Sequence, residues 1–587
     1  MHFELDEVRR LTGPNLLSDE AGAIADVFFD SEDAMSVVQC WQKHIERCQS
    51  SLGDEARWPY TTYARLYVGG ASVSISAPMD LLYSACDLLE LAWELCVEEM
   101  CSQALSLEQP YAQKQGYIGQ PSSPIDQQGR LAELKHTILA EKKPDLITII
   151  NLAQLHNVTC LADDEVISLG MGSSLQVWPI DELPDIADID WRRYQKVPLA
   201  LITGTNGKST SVRLAAEIAK AAGLSAGITS TDFIKVGDTV IDKGDYSGPG
   251  GARMLLRDKR TEIAFLEVAR GGLLRRGLPV SIADACLVTN AASDHLGQYG
   301  INTVDEIADV KMMVAKAINT SGTLVLNADD KRLAALGNNL DKPICWFSRD
   351  KSNANIVRAI ATQQPCVYTH QDEFVYHHKA PISIAKISAV PMTVGGNALH
   401  NIENACGVIG LCKAIGISDF AIKTGLMHFA SSAKDNPGRG NLYKLNGISI
   451  VVDFAHNSHS MQAVLNMAAS MPAKRKHIMF SHAGDRSDSA IVEVTEAVRQ
   501  FAPDTFVLAE IEQYLRGRTL GDVSSIVRAY LISMNVPKQS ILLTDTPLEG
   551  AKQLIQKANE GDLILMFVLS ERDKVQAYLE SLQQGIK

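Results

Sequence analysis
The sequence predicts an α/β protein, and three observations carry that prediction. Between residues 197 and 390 short apolar strands alternate with helical stretches, the pattern of a mostly parallel sheet covered on both faces. One of these strands, 198–202, runs directly into a glycine turn and a helix. A second, Rossmann-like α/β unit begins near Asn436. The expected organisation is an additional α+β N-terminal domain over 1–185, a central domain with a phosphate-type loop (P-loop) over 196–432, and a C-terminal domain over 433–587.

The elements follow in chain order. Residues 72–75 alternate as a strand does, and 80–100 form a long helical run. Its candidate core is Leu81, Leu82, Cys86, Leu89, Leu91, Leu95 and Met100. Residues 111–129 (YAQKQGYIGQPSSPIDQQG) have the composition of a linker. Helices are expected at 131–140 and 147–156, a short strand at 159–161, and a connection over 187–196. In the central domain, AFLE (264–267), ACLVT (285–289) and TLVLN (323–327) read as buried strands. CWFS, CVYTH and EFVYHH add shorter ones before a helix at 395–414. The C-terminal unit has strands at 448–453, 477–480, 504–508, 540–544 and 562–568, with a helix at 459–469. No internal repeat is seen.

The strongest chemical signal is LITGTNGKST at 201–210. A strand, a glycine turn and a helix N-terminus bring free N–H groups and a dipole against phosphate. Gly204, Thr205, Asn206 and Gly207 form the turn, Lys208 supplies a mobile charge, and Ser209 or Thr210 supplies a hydroxyl for magnesium. The spacing is short: two residues separate the glycines where the usual loop has about four. An ordinary strand-to-helix turn has similar composition, so the rest of the chain must decide. Ligands of parallel sheets lie beyond strand C-termini. There stand Glu267, followed by Arg270-Gly271-Gly272, and Asp294-His295. Glu267 is a hard oxygen ligand and His295 a nitrogen one, although each also reads as a plain strand-end or turn residue.

Composition narrows the class. A net charge of −14 argues against nonspecific nucleic-acid binding. The 11 cysteines have no paired spacing, as in a reduced cytoplasmic enzyme. MHFELDEVRR is no signal peptide, and no apolar run is long enough to span a membrane.

GTNGKST, EVARGG (267–272) and VTNAASDHLGQYG (288–300) together resemble the Mur ligase superfamily, which joins amines to carboxylates with ATP. LLRRGL (273–278), DHLGQYGINTVDEIADVK (294–311), NPGRGNLYKLNGISIVVDFAHN (436–457) and GDRSD (484–488) are similar to cyanophycin synthetases. The resemblance covers about 195–587 and implies roles position by position. Gly204, Thr205, Asn206, Gly207, Lys208, Ser209 and Thr210 match the ATP loop. Ser209, Glu267 and His295 match magnesium ligands, and Lys311 matches a lysine that carries a carbamate. His400 and Asn401 (in GGNALHNIENA), Arg439, Asp453 and His456 match nucleotide contacts, with Arg439 reaching ATP across the domain boundary. Lys208, His295, Lys311 and Arg439 carry the implied catalytic roles. Asn457-Ser458 stands where the family has Asn-Pro.

LTGPNLLS (11–18) resembles the start of a cyanophycin synthetase, and 155–180 resembles the segment just before that family's ATP-grasp core. The 80–100 helix lacks that family's histidine-bearing HVVEH-like core, and GMG replaces its GHG. In that family an ATP-grasp domain adds aspartate to a backbone and the Mur-like module adds arginine to the side chain. Here only 181–197 separates the two landmarks, with no space for an ATP-grasp domain. The implied activity is therefore one ATP-dependent ligation. An amino acid, arginine or another basic one, joins a carboxylate acceptor through an acyl phosphate. A separate ATP-grasp enzyme would belong to the same pathway, and a homo-oligomer is compatible. Two other readings are a non-catalytic or regulatory subunit and a Mur-like enzyme of cell-wall or folate type.

Overall fold
The computed structural model describes residues 2–30, 33–107, 125–430 and 432–585. Most of the expected linker, 111–124, lies outside the described residues, and its last residues are helical, since a helix spans Gln127–Glu141.

The central sheet has eleven strands. Its parallel block runs, in spatial order, Ala226–Thr229, Ile263–Glu267, Leu199–Thr203, Ala283–Val288, Ile318–Asn327, Ile344–Ser348 and Cys366–His370. Alternate residues of each central strand enter opposite cores: Leu199 and Leu201 pack on one face, Ala200 and Ile202 on the other. Double burial explains why these strands read as unbroken apolar runs. Antiparallel strands extend both edges: Phe233–Val236 and Thr239–Lys243 on one side, Glu373–His378 and Ala380–Lys386 on the other. Three of these were not expected. Thr239–Lys243 (TVIDK) is exposed throughout and so carries no burial pattern.

The first helix of the domain, Lys208–Ala221, begins directly at Lys208, because Gly207 adopts a left-handed φ of 86° and ends the turn. Lys208, Ser209 and Thr210 thereby form the helix's first turn. The expected helix at 395–414 instead starts at Leu399, after short turns.

The C-terminal sheet has six strands, parallel except for Asn441–Leu445 at one edge. Asn457 caps the helix Ser458–Ala469 with its side chain, so Ser458 occupies the first helical position, the one proline favours. Serine is accepted there because the cap does the work of starting the helix.

In the N-terminal domain a five-stranded antiparallel sheet packs one face on the helices Ala34–Leu52 and Leu82–Leu107. Ala25, Val27, Val73 and Ile75 face those helices. The other face presents Asp26 and Ser72, which line a small pocket with Arg9, Arg65 and, from the central domain, Leu274 and Tyr299. A smaller sheet, Cys160–Ala162, Val166–Leu169 and Gln176–Pro179, leads on to the central domain. Between Pro179 and Leu199 there are only two short turns, Ile186–Asp188 and Trp191–Arg193, so no further domain intervenes. Among the described residues no helix is long and apolar enough to cross a membrane.

Candidate functional site
The parallel strands aim their C-terminal ends at a cleft of about 950 Å³ between the central and C-terminal domains. Every site residue expected from the sequence lines it: Gly204 through Thr210, Glu267, His295, Lys311, His400, Asn401, Arg439, Asp453 and His456.

The glycine loop is held from outside. Thr289 Oγ1 donates to the Asn206 carbonyl at 2.6 Å, and the Asn206 N–H donates to Asn290 Oδ1 at 2.9 Å. A Cβ on Gly204 would lie 1.8 Å from Thr289 Oγ1, and one on Gly207 2.2 Å from Asn404 Oδ1. Glycine is thus required at both ends by close approach. Lys208 Nζ folds back on the Thr205 carbonyl at 3.1 Å.

Two groups of potential cation ligands lie in the cleft. In the first, Ser209 Oγ is 3.3 Å from Thr231 Oγ1, and the Thr231 N–H faces Glu267 Oε2 at 3.4 Å. Glu267 is buried, and its Oε1 has no hydrogen-bond partner. Burial lifts its carboxyl above the ordinary range, against the opposing pull of Lys208 and Arg439. In the second, donor atoms of Asp294, His295 and His456 lie within 4.8 Å of one another. Burial would raise the Asp294 carboxyl, but His456, His295 and Arg486 together hold it well below the carboxylate range. Burial presses His295 down to about 4, overcoming Asp294, so its imidazole is neutral at pH 7. His295 stands with Asp294 and with His456 from the C-terminal domain.

Lys311 sits in the helix Val304–Met312, started by a reciprocal cap between Thr303 and Glu306. It is buried, and desolvation followed by the nearby Lys208 charge pushes its ammonium well below the ordinary value. Arg439 lies 4.6 Å from the Phe454 ring, and Arg572 the same distance from it. Burial lifts the neighbouring Asp453 carboxyl to about 6 although Arg439 favours the charged form. His400 is held down to about 4 by burial. Asn401 lines the cleft and gives one of its two amide N–H donors to the Met392 carbonyl at 2.9 Å.

Sequence reasoning missed several participants. Asn404, Asn290 and Thr289 shape the loop only through tertiary contact. Arg486, not singled out in the sequence, donates to Asp294 at 2.8 Å, while Arg270, visible there as a strand-end residue, donates to the His295 carbonyl at 2.7 Å. The run Tyr246-Ser247-Gly248-Pro249-Gly250-Gly251 also lines the cleft, and its glycine content was the available signal. Across the domain boundary, Asn457 Nδ2 donates to Asn206 Oδ1 at 3.1 Å, and the Asn206 amide meets His459 Nδ1 at 3.0 Å.

Comparison with known proteins matches residues 202–412 to the Mur ligase middle domain and 438–567 to the Mur ligase, glutamate ligase domain. The chain is 34% identical over 376 residues to cyanophycin synthetase of Crocosphaera subtropica, covering 63% of this chain and 42% of that one. It is 27% identical over 241 residues to UDP-N-acetylmuramate–L-alanine ligase of Clostridium novyi, covering 41% and 48%. The chain thus spans less than half the length of these relatives. In fold it is similar to E. coli FolC in complex with DHPP and ADP, with a TM-score of 0.50 at 15% identity, over 66% of this chain and 89% of that one.

Proposed function
Because the chain belongs to the Mur ligase superfamily, we propose that it is an ATP-dependent ligase that forms an amide between an acceptor carboxylate and an amino acid. The observation that carries this reading is the convergence of loop, carboxylates, histidines, Lys311 and Arg439 on one cleft.

The residues fit a divalent cation. Glu267 Oε1 is buried without a partner beside Ser209, and Asp294, His295 and His456 gather oxygen and neutral nitrogen donors. Magnesium held by these groups would offset charge on the nucleotide phosphates. Lys311 is held toward its neutral amine, the form that adds carbon dioxide, which favours a carbamate there.

The reaction is an in-line transfer followed by aminolysis. An acceptor carboxylate oxygen attacks the γ-phosphorus, ADP leaves, and an acyl phosphate forms. The amine then attacks the acyl carbon and inorganic phosphate leaves. Lys208, released from the Thr205 carbonyl, would follow the transferring phosphoryl charge, and the loop and helix N–H groups would bind the flanking phosphates. Arg439, from the far side of the cleft, would reach the nucleotide. The C-terminal domain would exclude water from the acyl phosphate. The similarity to cyanophycin synthetases makes arginine the first amine to test. A separate ATP-grasp enzyme is the candidate source of the acceptor.

The test is ADP release and mass detection of an amide product, using magnesium-ATP with panels of amino acids and carboxylate acceptors. Lys208→Ala should lower turnover by about 10²- to 10³-fold, the scale of losing one charge-stabilising donor. Silence across the panel, identical in the variant, would favour a non-catalytic protein instead.

A further inference from the structure
The N-terminal domain grips the segment that carries part of the site. Arg65, on the strand Thr62–Tyr67, donates to the Tyr299 carbonyl at 3.0 Å and to the Gly300 carbonyl at 3.1 and 3.2 Å. Its Nη1 also reaches Glu306 Oε1 at 3.1 Å. Glu306 is the capping residue of the helix that bears Lys311. One guanidinium therefore touches both the loop after Asp294-His295 and the start of the Lys311 helix.

That loop needs support. His295, Gly297, Tyr299 and Gly300 have φ of 47°, 90°, 56° and 64°. Left-handed backbone at the two non-glycine positions costs about 1–2 kcal/mol each. On the cleft side, Arg270 holds the His295 carbonyl and Gln298. On the opposite side stand Arg65, the Tyr67 ring, which would lie 2.3 Å from a Cβ on Gly300, and Arg9, whose guanidinium is 5.1 Å from the Tyr299 ring. Docking has independent anchors. Lys316 Nζ donates to the Asn15 and Ser18 carbonyls, and backbone bonds join Thr12 to Arg276 and Leu278 to Pro14. Loss of Arg65 should therefore release the loop without undocking the domain.

We infer that the N-terminal domain is a brace for the ligase site and that Arg65 is its positioning residue, holding 294–306 in the conformation that presents His295 and Lys311. The catalytic consequence rests on the ligase reading above, while the brace itself is measured without activity. In hydrogen exchange, Arg65→Ala should speed exchange of 294–306 by at least ~10-fold while the helices Ala34–Leu52 and Leu82–Leu107 stay protected. Leu88→Ala, in the core between those helices, is the control for simple destabilisation of the domain. In turnover, Arg65→Ala should lose about 10- to 100-fold in kcat with the KM for ATP unchanged, as expected when reacting groups are misplaced by about an ångström. Added guanidinium should restore part of it, and Arg65→Lys should fall between. Unchanged exchange in 294–306, or a rise only alongside general loosening as in Leu88→Ala, would overturn the brace. If Arg65→Ala loosens the whole domain, Arg65→Lys decides by the same exchange comparison. A wild-type protein without ligase activity would overturn the ligase reading and leave the exchange result to judge the brace alone.

Discussion

The central domain meets its two neighbours in different ways. Toward the N-terminal domain, charged side chains reach backbone carbonyls and backbone-to-backbone bonds join 12–14 to 276–278, alongside side-chain pairs such as Arg257–Asp163 and Arg65–Glu306. Toward the C-terminal domain, the cited contacts are side chain to side chain: Asn206–Asn457, Arg486–Asp294 and Arg572–Asp232 at 2.8 Å. A carbonyl cannot swing away, whereas two side chains can part and re-pair with water or ligand. We expect the first joint to stay and the second, where the cleft lies, to open.

The largest expected loss of stability comes from breaking an ion pair inside the N-terminal domain, beside the fixed joint. Arg9 and Asp26 form an ion pair at 2.6 Å with both side chains 2% exposed. Arg9→Met leaves that carboxylate buried with only the Ser72 hydroxyl, and should destabilise the N-terminal domain by about 3–5 kcal/mol in chemical denaturation. At the opening joint, Arg486→Ala should leave the melting temperature nearly unchanged while lowering kcat/KM by about 10- to 100-fold, since it unpairs Asp294 beside the reacting groups. Equal loss of stability in both variants would erase the distinction. The smallest effect is a reference inside the C-terminal domain, away from both joints. Burial would raise the Asp562 carboxyl, but Arg475, the Asn559 N–H and His477 hold it well below the ordinary value. A depressed folded pKa contributes stability above the unfolded value of about 4, lost as pH falls through the folded one. Asp562→Asn should therefore destabilise the protein at pH 7, and the gap from wild type should narrow as the pH falls below about 4 in acid titrations followed by circular dichroism.

How much of this was legible in the sequence depends on range. The loop at 204–210 was readable because strand, turn and helix are consecutive. Its short spacing suits the packing of Gly207 against Asn404, a contact with no local sign. Glu267 and His295 were found as strand-end residues, but the partnership of His295 with His456 joins separate domains and leaves no trace in spacing. Ile448–Asp453 and Lys476–Phe480 were visible as buried apolar runs. Gly22–Phe29 was passed over although it is the strand on which the N-terminal sheet is built. Its Asp26 interrupts the apolar pattern because its side chain is paired with Arg9 and Ser72 of the same domain.

The interlock of Tyr67 with Gly300 bears on any attempt to exchange parts between related proteins. The ring occupies the volume that a Cβ at 300 would need, so the two positions form one unit spread over two domains. A chimera that imports a foreign N-terminal domain must bring a side chain that fills the hollow beside Gly300. A foreign central domain with alanine there must be matched to a smaller residue at 67. This two-residue lock is one condition on the compatibility of modules in this architecture, and swapped segments should be chosen so that both ends travel together.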